Sequence, residues 1–178
     1  MSCEGLRLER LHASHDVAAF DSGNAELNGW LWRHALAAQQ MDSARTFVLT
    51  QGGRVLGYFS LTMGSVRREE APRRRVRGMP GYPVGTVLLA RLGVDQAEQG
   101  KGRGALLLAE ALRKAVAAGE AAAARLVVVD AIDERAADFY RRHGFLPAPD
   151  HPLRLYRRMS DIRASLAETL DRNSLGRG

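Results

Sequence analysis

Gln99-Gly100-Lys101-Gly102-Arg103-Gly104 is the stretch that decides the fold. Before it comes Thr86–Val94 (TVLLARLGV), a nearly continuous apolar run, which reads as a central strand covered on both faces. After it comes Ala105–Ala118, with apolar residues at helical spacing. A strand therefore feeds a glycine-rich turn, and a helix follows the turn at once. Such a turn aims free backbone N–H groups at one spot, and the helix N-terminus adds the positive end of its dipole. Glycines are needed because a Cβ would block close approach of an anion to the backbone. The expected occupant is a pyrophosphate. The stretch is not a P-loop, since GxxxxGK[ST] is absent. It is also a poor dinucleotide fingerprint, because Asp130 stands alone in support and no repeated βαβ units precede it.

Working outward, the chain alternates strands and helices. Leu6–Leu11 alternates apolar and charged residues and reads as an edge strand, and His15–Phe20 as a helical turn at best. Asp21-Ser22-Gly23-Asn24 is a loop that starts a helix, in which Leu27, Trp30, Leu31, His34–Ala35 and Ala38 recur at helical spacing. Arg45–Thr50 and Val55–Val66 read as strands joined by the hairpin turn Gln51-Gly52-Gly53-Arg54. The arginine block, with Pro72, Pro80 and Pro83, breaks regular structure. Arg125–Asp130 is a second buried strand, and Glu134–His143 a helix ended by Gly144. Leu153–Met159 is a strand, Ile162–Leu170 a last helix, and Asn173–Gly178 a frayed end.

Length and composition fit one globular domain over residues 1–178, with 46% hydrophobic and 26% charged residues. No apolar run approaches the roughly 18 residues of a membrane span. The charged N-terminal sequence does not suit an export signal, so a cytoplasmic location is expected. Cys3 is the only cysteine, which excludes an intrachain disulfide and a cysteine-rich zinc site. The five histidines, His12, His15, His34, His143 and His151, have no metal-ligand spacing, and no metal is expected.

Lys plus Arg is 26 against 20 Asp plus Glu, a net +6. Only Lys101 and Lys114 are lysines, so 24 basic residues are arginines. This Arg/Lys ratio has two readings, the codon bias of a GC-rich gene and phosphate recognition by the planar arginine fork. The charge is clustered in Arg67–Arg77, where six arginines stand against two glutamates. Arg73, Arg74, Arg75 and Arg77 are candidate nucleic-acid contacts; the competing reading is a solvated loop. Arg91, within the central strand, either meets phosphate or pairs with a carboxylate. Trp30 and Trp32 read as packing a helix onto the sheet, with base stacking as the alternative.

The glycine turn resembles the [Q/R]-x-x-G-x-[G/A] acetyl-CoA pyrophosphate loop of the GNAT N-acetyltransferase superfamily. Ala137-Asp138-Phe139-Tyr140-Arg141-Arg142-His143-Gly144-Phe145 is similar to that family's A-x-x-F-Y-x-x-x-G-F helix and turn. Asp133 replaces the usual Asn and keeps the ability to cap the helix. Upstream, Phe20-Asp21-Ser22-Gly23-Asn24-Ala25-Glu26-Leu27-Asn28-Gly29-Trp30-Leu31 resembles the opening of the GNAT toxins of bacterial toxin–antitoxin systems. Thr46-Phe47-Val48, Gly57–Leu61, Leu88–Asp95 and Val129–Asp133 fit the same group.

The resemblance implies an α/β GNAT fold, a mixed central sheet flanked by helices. It implies acetyl-CoA as co-substrate and the α-amine of aminoacyl-tRNA as acceptor, so that translation stops. A ribbon-helix-helix antitoxin and a homodimer are the implied protein partners. Gln99, Gly100, Lys101, Gly102, Arg103, Gly104 and Asp133 would hold the cofactor. Backbone groups of Leu92, Gly93 and Val94 would pair with the pantetheine arm. Tyr140 would protonate the leaving thiolate; Tyr58 and Tyr82 are rival tyrosines. The alternatives are acetylation of a protein N-terminus or small amine, and a CoA-binding regulator without turnover.

The chemistry favours an α-amine acceptor independently. Thr86–Val94 carries no carboxylate to act as base. At pH 7 a lysine amine with pKa about 10.4 is neutral in about one molecule in a few thousand, whereas an α-amine at about 7.7–8.0 is neutral in roughly 10–20%. A site without a base therefore suits the α-amine.

Overall fold

The computed structural model describes residues 5–175. Among them the strands are β1 (Arg7–Arg10), β2 (Arg45–Gln51), β3 (Arg54–Val66), β4 (Val84–Val94), β5 (Leu126–Asp130), β6 (Leu146–Ala148) and β7 (His151–Arg158). The helices are α1 (Ala25–Arg33), α2 (Ala35–Gln40), α3 (Arg73–Val76), α4 (Arg103–Ala122), α5 (Glu134–Arg142) and α6 (Met159–Leu175), with 3-10 turns at Arg68–Glu70 and Gln96–Glu98. The strands form one mixed seven-stranded sheet in the order β1-β2-β3-β4-β5-β7-β6. The α/β class and the mixed sheet are as the sequence implied.

By contact density the chain divides into two compact units, Met1–Thr62 with Leu89–Ala111, and Met63–Leu88 with Leu112–Gly178. In the first, β1 pairs antiparallel with β2, and β2 with β3. Gly52 and Gly53 both have positive φ, 57° and 78°, which matches the hairpin to the twist of β2 and β3. The core of this unit gathers Leu11, Phe20, Leu27, Leu31, Ala35, Val48, Val55 and Tyr58. Burying each of the larger of these side chains contributes about 1.5–3 kcal/mol.

In the second unit β7 pairs antiparallel with both β5 and β6. Leu126, Val128 and Tyr156 from β5 and β7 close over Val66, Ala71, Val76, Met79, Val84 and Ala148. Alternate residues of a strand share a face, so this core takes 126 and 128 from β5.

Several expectations are corrected. The helix from Ala25 is two helices, broken where His34 leaves helical geometry at φ −123°. The arginine block is not irregular throughout: it holds a 3-10 turn and the four-residue α3. β6 was not anticipated. His15–Phe20 is not helical and contributes an isolated bridge from Asp16 to Arg54. The last helix runs on through Leu175, past the residue where fraying was expected to begin, while residues 176–178 and Cys3 lie outside the described residues.

Candidate functional site

In the first unit, the glycine turn is built on two buried carboxylates. Asp95 follows β4 and caps the 3-10 turn, its Oδ1 accepting from Ala97 N at 3.0 Å. The same oxygen accepts from Arg54 Nη2 at 3.0 Å, and Oδ2 accepts from Asp21 N at 3.1 Å. Glu98 closes the turn. Its Oε2 accepts from Arg103 Nε at 3.2 Å and its Oε1 from Lys101 Nζ at 3.4 Å. Burial pushes the Glu98 carboxyl up, but the hydrogen bonds from Arg103 and Lys101 outweigh it and hold the group below its usual value. The two cationic side chains of the turn are thus committed to Glu98.

Gln99 anchors the turn from the other side. Its Nε2 donates to the carbonyls of Ser22 and Val94, at 3.0 Å each. Ser22 is itself held, because its N–H and its hydroxyl both donate to Asn28 Oδ1 at 2.8 Å. Asn28 in turn donates through Nδ2 to Asp21 Oδ1 at 2.8 Å. Hydrogen bonds from Gly23 N–H and then Asn28 lower the Asp21 carboxyl. Asn24 caps α1, accepting from Leu27 N at 2.9 Å.

Gly100 and Gly102 sit at φ 78° and 77°, and a Cβ on either would meet no atom within 4 Å. The turn is open where an anion would lie, and it curls in a backbone conformation that glycine adopts without strain. Leu106 N–H donates to Gly102 O at 3.1 Å, so α4 starts directly on the turn. The N–H groups of Arg103, Gly104 and Ala105 belong to the first helical turn, which has no carbonyl of its own to reach. These donors and this open turn fit a pyrophosphate.

Gly93 is a packing position. A Cβ there would lie 3.3 Å from the Tyr58 ring and 3.5 Å from Leu27. Leu92 and Val94, to either side of it, are half-buried. Arg91 lays its guanidinium 4.4 Å over the Trp30 ring. Trp30 stacks on Tyr58 at 6.2 Å, and the Tyr58 hydroxyl donates to Leu27 O at 2.8 Å. Trp32 is largely exposed and donates to Phe20 O at 3.1 Å.

In the second unit, α5 carries Tyr140. Asp133 is its N-cap, accepting from Ala136 N at 2.8 Å, so that carboxylate is committed to the helix. Ala137 and Tyr140, three apart, form the buried face. The Tyr140 ring meets Phe139 and Phe145 edge-on at 5.3 and 5.7 Å. Gly144, at φ 86°, turns the chain so that Phe145 can do so. Burial pushes the Tyr140 phenol far above its ordinary value, so it stays protonated at neutral pH. Of its rivals, Tyr58 has its proton committed to Leu27 O, and Tyr82 is 69% exposed.

The arginine block divides. Arg73, Arg74 and Arg77 are exposed. Arg75, with a side chain only 14% exposed, donates to Tyr156 O at 3.2 Å and to Gly144 O at 2.7 Å. It is a clip between α3 and β7, not a solvent-facing cation. Sequence reasoning assigned no part in holding the turn to Asp95, Glu98, Arg54 or Asn28; the available signals were that Asn28 falls inside the upstream motif and Asp95 ends the matching stretch Leu88–Asp95. Among the described residues, no group of three His, Cys, Asp or Glu is placed to hold a metal, and no helix is long and apolar enough to cross a membrane.

Residues 9–145 match the acetyltransferase (GNAT) family. The chain is 38% identical over 159 residues to a tRNA-acetylating toxin of Mycobacterium tuberculosis, covering 89% of this chain and 95% of that protein. Among solved structures, it is similar to AtaT complexed with acetyl-methionyl-tRNAfMet, at 28% identity and a TM-score of 0.84, over 91% of this chain and 99% of that one. It is likewise similar to an AtaT mutant toxin bound to the C-terminus of the antitoxin AtaR and acetyl-CoA, at 27% identity and a TM-score of 0.79, over 92% and 99% of the two chains. The turn, the capped tyrosine helix and these relatives agree, and the chain belongs to the GNAT acetyltransferase family.

Proposed function

We propose that this protein is an acetyl-CoA-dependent N-acetyltransferase that acetylates the α-amine of aminoacyl-tRNA and so acts as a translation-blocking toxin. The observation that carries the reading is the open glycine turn at Gly100 and Gly102, held by Glu98 and Gln99 at the start of α4. Acetyl-CoA supplies an activated acetyl group. The backbone N–H groups of the turn and of the first residues of α4 bind its pyrophosphate, and backbone groups of Leu92, Gly93 and Val94 pair with its pantetheine arm.

The neutral amine nitrogen forms a bond to the acetyl carbon, and the C–S bond breaks. Tyr140 holds the proton that the departing sulfur takes. The phenol holds its proton at neutral pH and can pass it to the sulfur as negative charge develops there. The phenolate left behind regains a proton from solvent, and the amine loses one. β4 provides no carboxylate base, consistent with an α-amine that is partly neutral at pH 7.

Relatives bound to tRNA and to an antitoxin support aminoacyl-tRNA as acceptor and an antitoxin as partner. A ribbon-helix-helix antitoxin, a homodimer and a cytoplasmic site of action complete the proposal. Incubation with acetyl-CoA and a pool of charged tRNAs tests it. The expected result is thiol release with N-acetylated aminoacyl esters on the tRNA. Thiol release with small amines or peptide N-termini, and none with charged tRNA, would reassign the acceptor.

A further inference from the structure

The second unit contains a cleft of about 620 Å³ that the pyrophosphate turn and Tyr140 do not line. Four separate stretches of chain send arginines to it: Arg77 after α3, Arg125 before β5, Arg158 at the end of β7, and Arg163 in α6. Against them stands one carboxylate, Glu120, for a local +3. Glu120 lies 3.6 Å from Arg163, while no carboxylate lies within ion-pair distance of Arg77 or Arg125 among the described residues. Arg158 has a supporting task, donating to the carbonyls of Arg75 at 2.9 Å and Arg77 at 2.6 Å, which fixes the chain that presents Arg77. Tyr82, the most exposed aromatic ring of the protein's described residues, sits on the same cleft.

We propose that this cleft binds the phosphodiester backbone of an RNA strand, with Arg77, Arg125 and Arg163 on phosphates and Tyr82 under a base. The argument is charge complementarity. Among the described residues Arg77 and Arg125 have no carboxylate partner and Arg163 only Glu120, so the lining keeps an excess of guanidinium forks that phosphates can engage bidentately. A basic groove beside an exposed aromatic face is the combination that single-stranded nucleic acid requires. The inference rests on aminoacyl-tRNA as the acceptor and assigns part of the surface that holds it. It also redraws the basic patch, because Arg75 is buried while Arg125 and Arg163, far away in sequence, join Arg77.

The test measures binding of uncharged tRNA at several salt concentrations, so that it reads no chemistry. Arg77→Ala/Arg125→Ala/Arg163→Ala should flatten the plot of log K against log salt by about 2 units, at roughly 0.7–0.9 per lost phosphate contact. Tyr82→Ala should weaken binding about five- to a hundredfold and leave the slope unchanged, since stacking releases no counterions. Acetyl-CoA binding should be the same in all. Should the triple variant fail to fold, Arg125→Gln alone should still flatten the slope by up to about one unit. Equal slopes for wild type and the arginine variants would overturn the proposal. So would tRNA binding that survives while an acidic peptide such as polyglutamate is lost, which would give the cleft to a protein partner. Wild-type binding of tRNA without any acetylation would instead count against the proposed reaction and leave the cleft standing.

Discussion

Glu98 and Arg103 are joined through Oε2 and Nε at 3.2 Å, so a buried carboxylate ties the turn to the first residue of α4. Because the folded Glu98 carboxyl titrates below its usual 4.5, its contribution is fully present above that pH and is lost as pH falls through the folded value. Glu98→Gln cannot show this loss. Melting temperatures of the two proteins should differ by a constant amount above pH 4.5, and the difference should shrink below it. A difference that does not change with acidification would remove the charge from the account.

Tyr140→Phe keeps the ring packed against Phe139 and Phe145 and removes only the hydroxyl. Turnover should fall about 10²–10⁴-fold with acetyl-CoA affinity nearly unchanged. In the wild type, the rate should rise with pH as the acceptor amine deprotonates. No fall should follow near pH 10, because burial has moved the phenol well above that. A descending limb centred at pH 10 in steady-state rates would point to an exposed acid instead.

Gly102 has room for a Cβ but holds φ at 77°. Gly102→Ala should therefore cost about 1 kcal/mol of stability from backbone conformation alone. Gly102→Glu adds a carboxylate where the pyrophosphate is to lie, and acetyl-CoA binding by calorimetry should collapse in a folded protein. Unchanged affinity in the glutamate variant would displace the cofactor from this turn.

Three neighbours of one residue type should behave differently. Arg75→Ala removes two hydrogen bonds from a charged donor to the carbonyls of Tyr156 and Gly144, and should destabilise by about 2–4 kcal/mol. In a chain of this size that lowers the melting temperature by roughly 5–15 °C. Arg73→Ala and Arg74→Ala, at exposed positions, should stay within about 0.5 kcal/mol of wild type. Equal losses at all three would mean that α3 is not clipped to β7 through Arg75.

The turn at Gly100–Gly104 and the strand and helix around it were legible because each is announced by adjacent residues. The helix that carries Tyr140, its cap Asp133 and its end at Gly144 were legible for the same reason. What holds the turn was not. Gln99 reaches Ser22 across 77 positions, and no local pattern encodes that contact. Helical periodicity continues through His34, so one helix was read where the backbone makes two. α3 has four residues, too few to show a period, and β6 contains Pro147, which argues against a strand unless it lies at a sheet edge, as it does. Arg75 is indistinguishable from Arg73 and Arg74 by type, and only the fold buries it.

Lys101 and Arg103 lean back on Glu98, so on the proposed reading main-chain N–H groups would hold the pyrophosphate. A grip of that kind senses the part of the cofactor that survives the reaction. Spent CoA carries the same pyrophosphate as its acetylated form and competes for the same turn. The pace of acetylation should therefore follow the ratio of acetylated to free CoA in the cell, which couples the arrest of translation to the supply of two-carbon units.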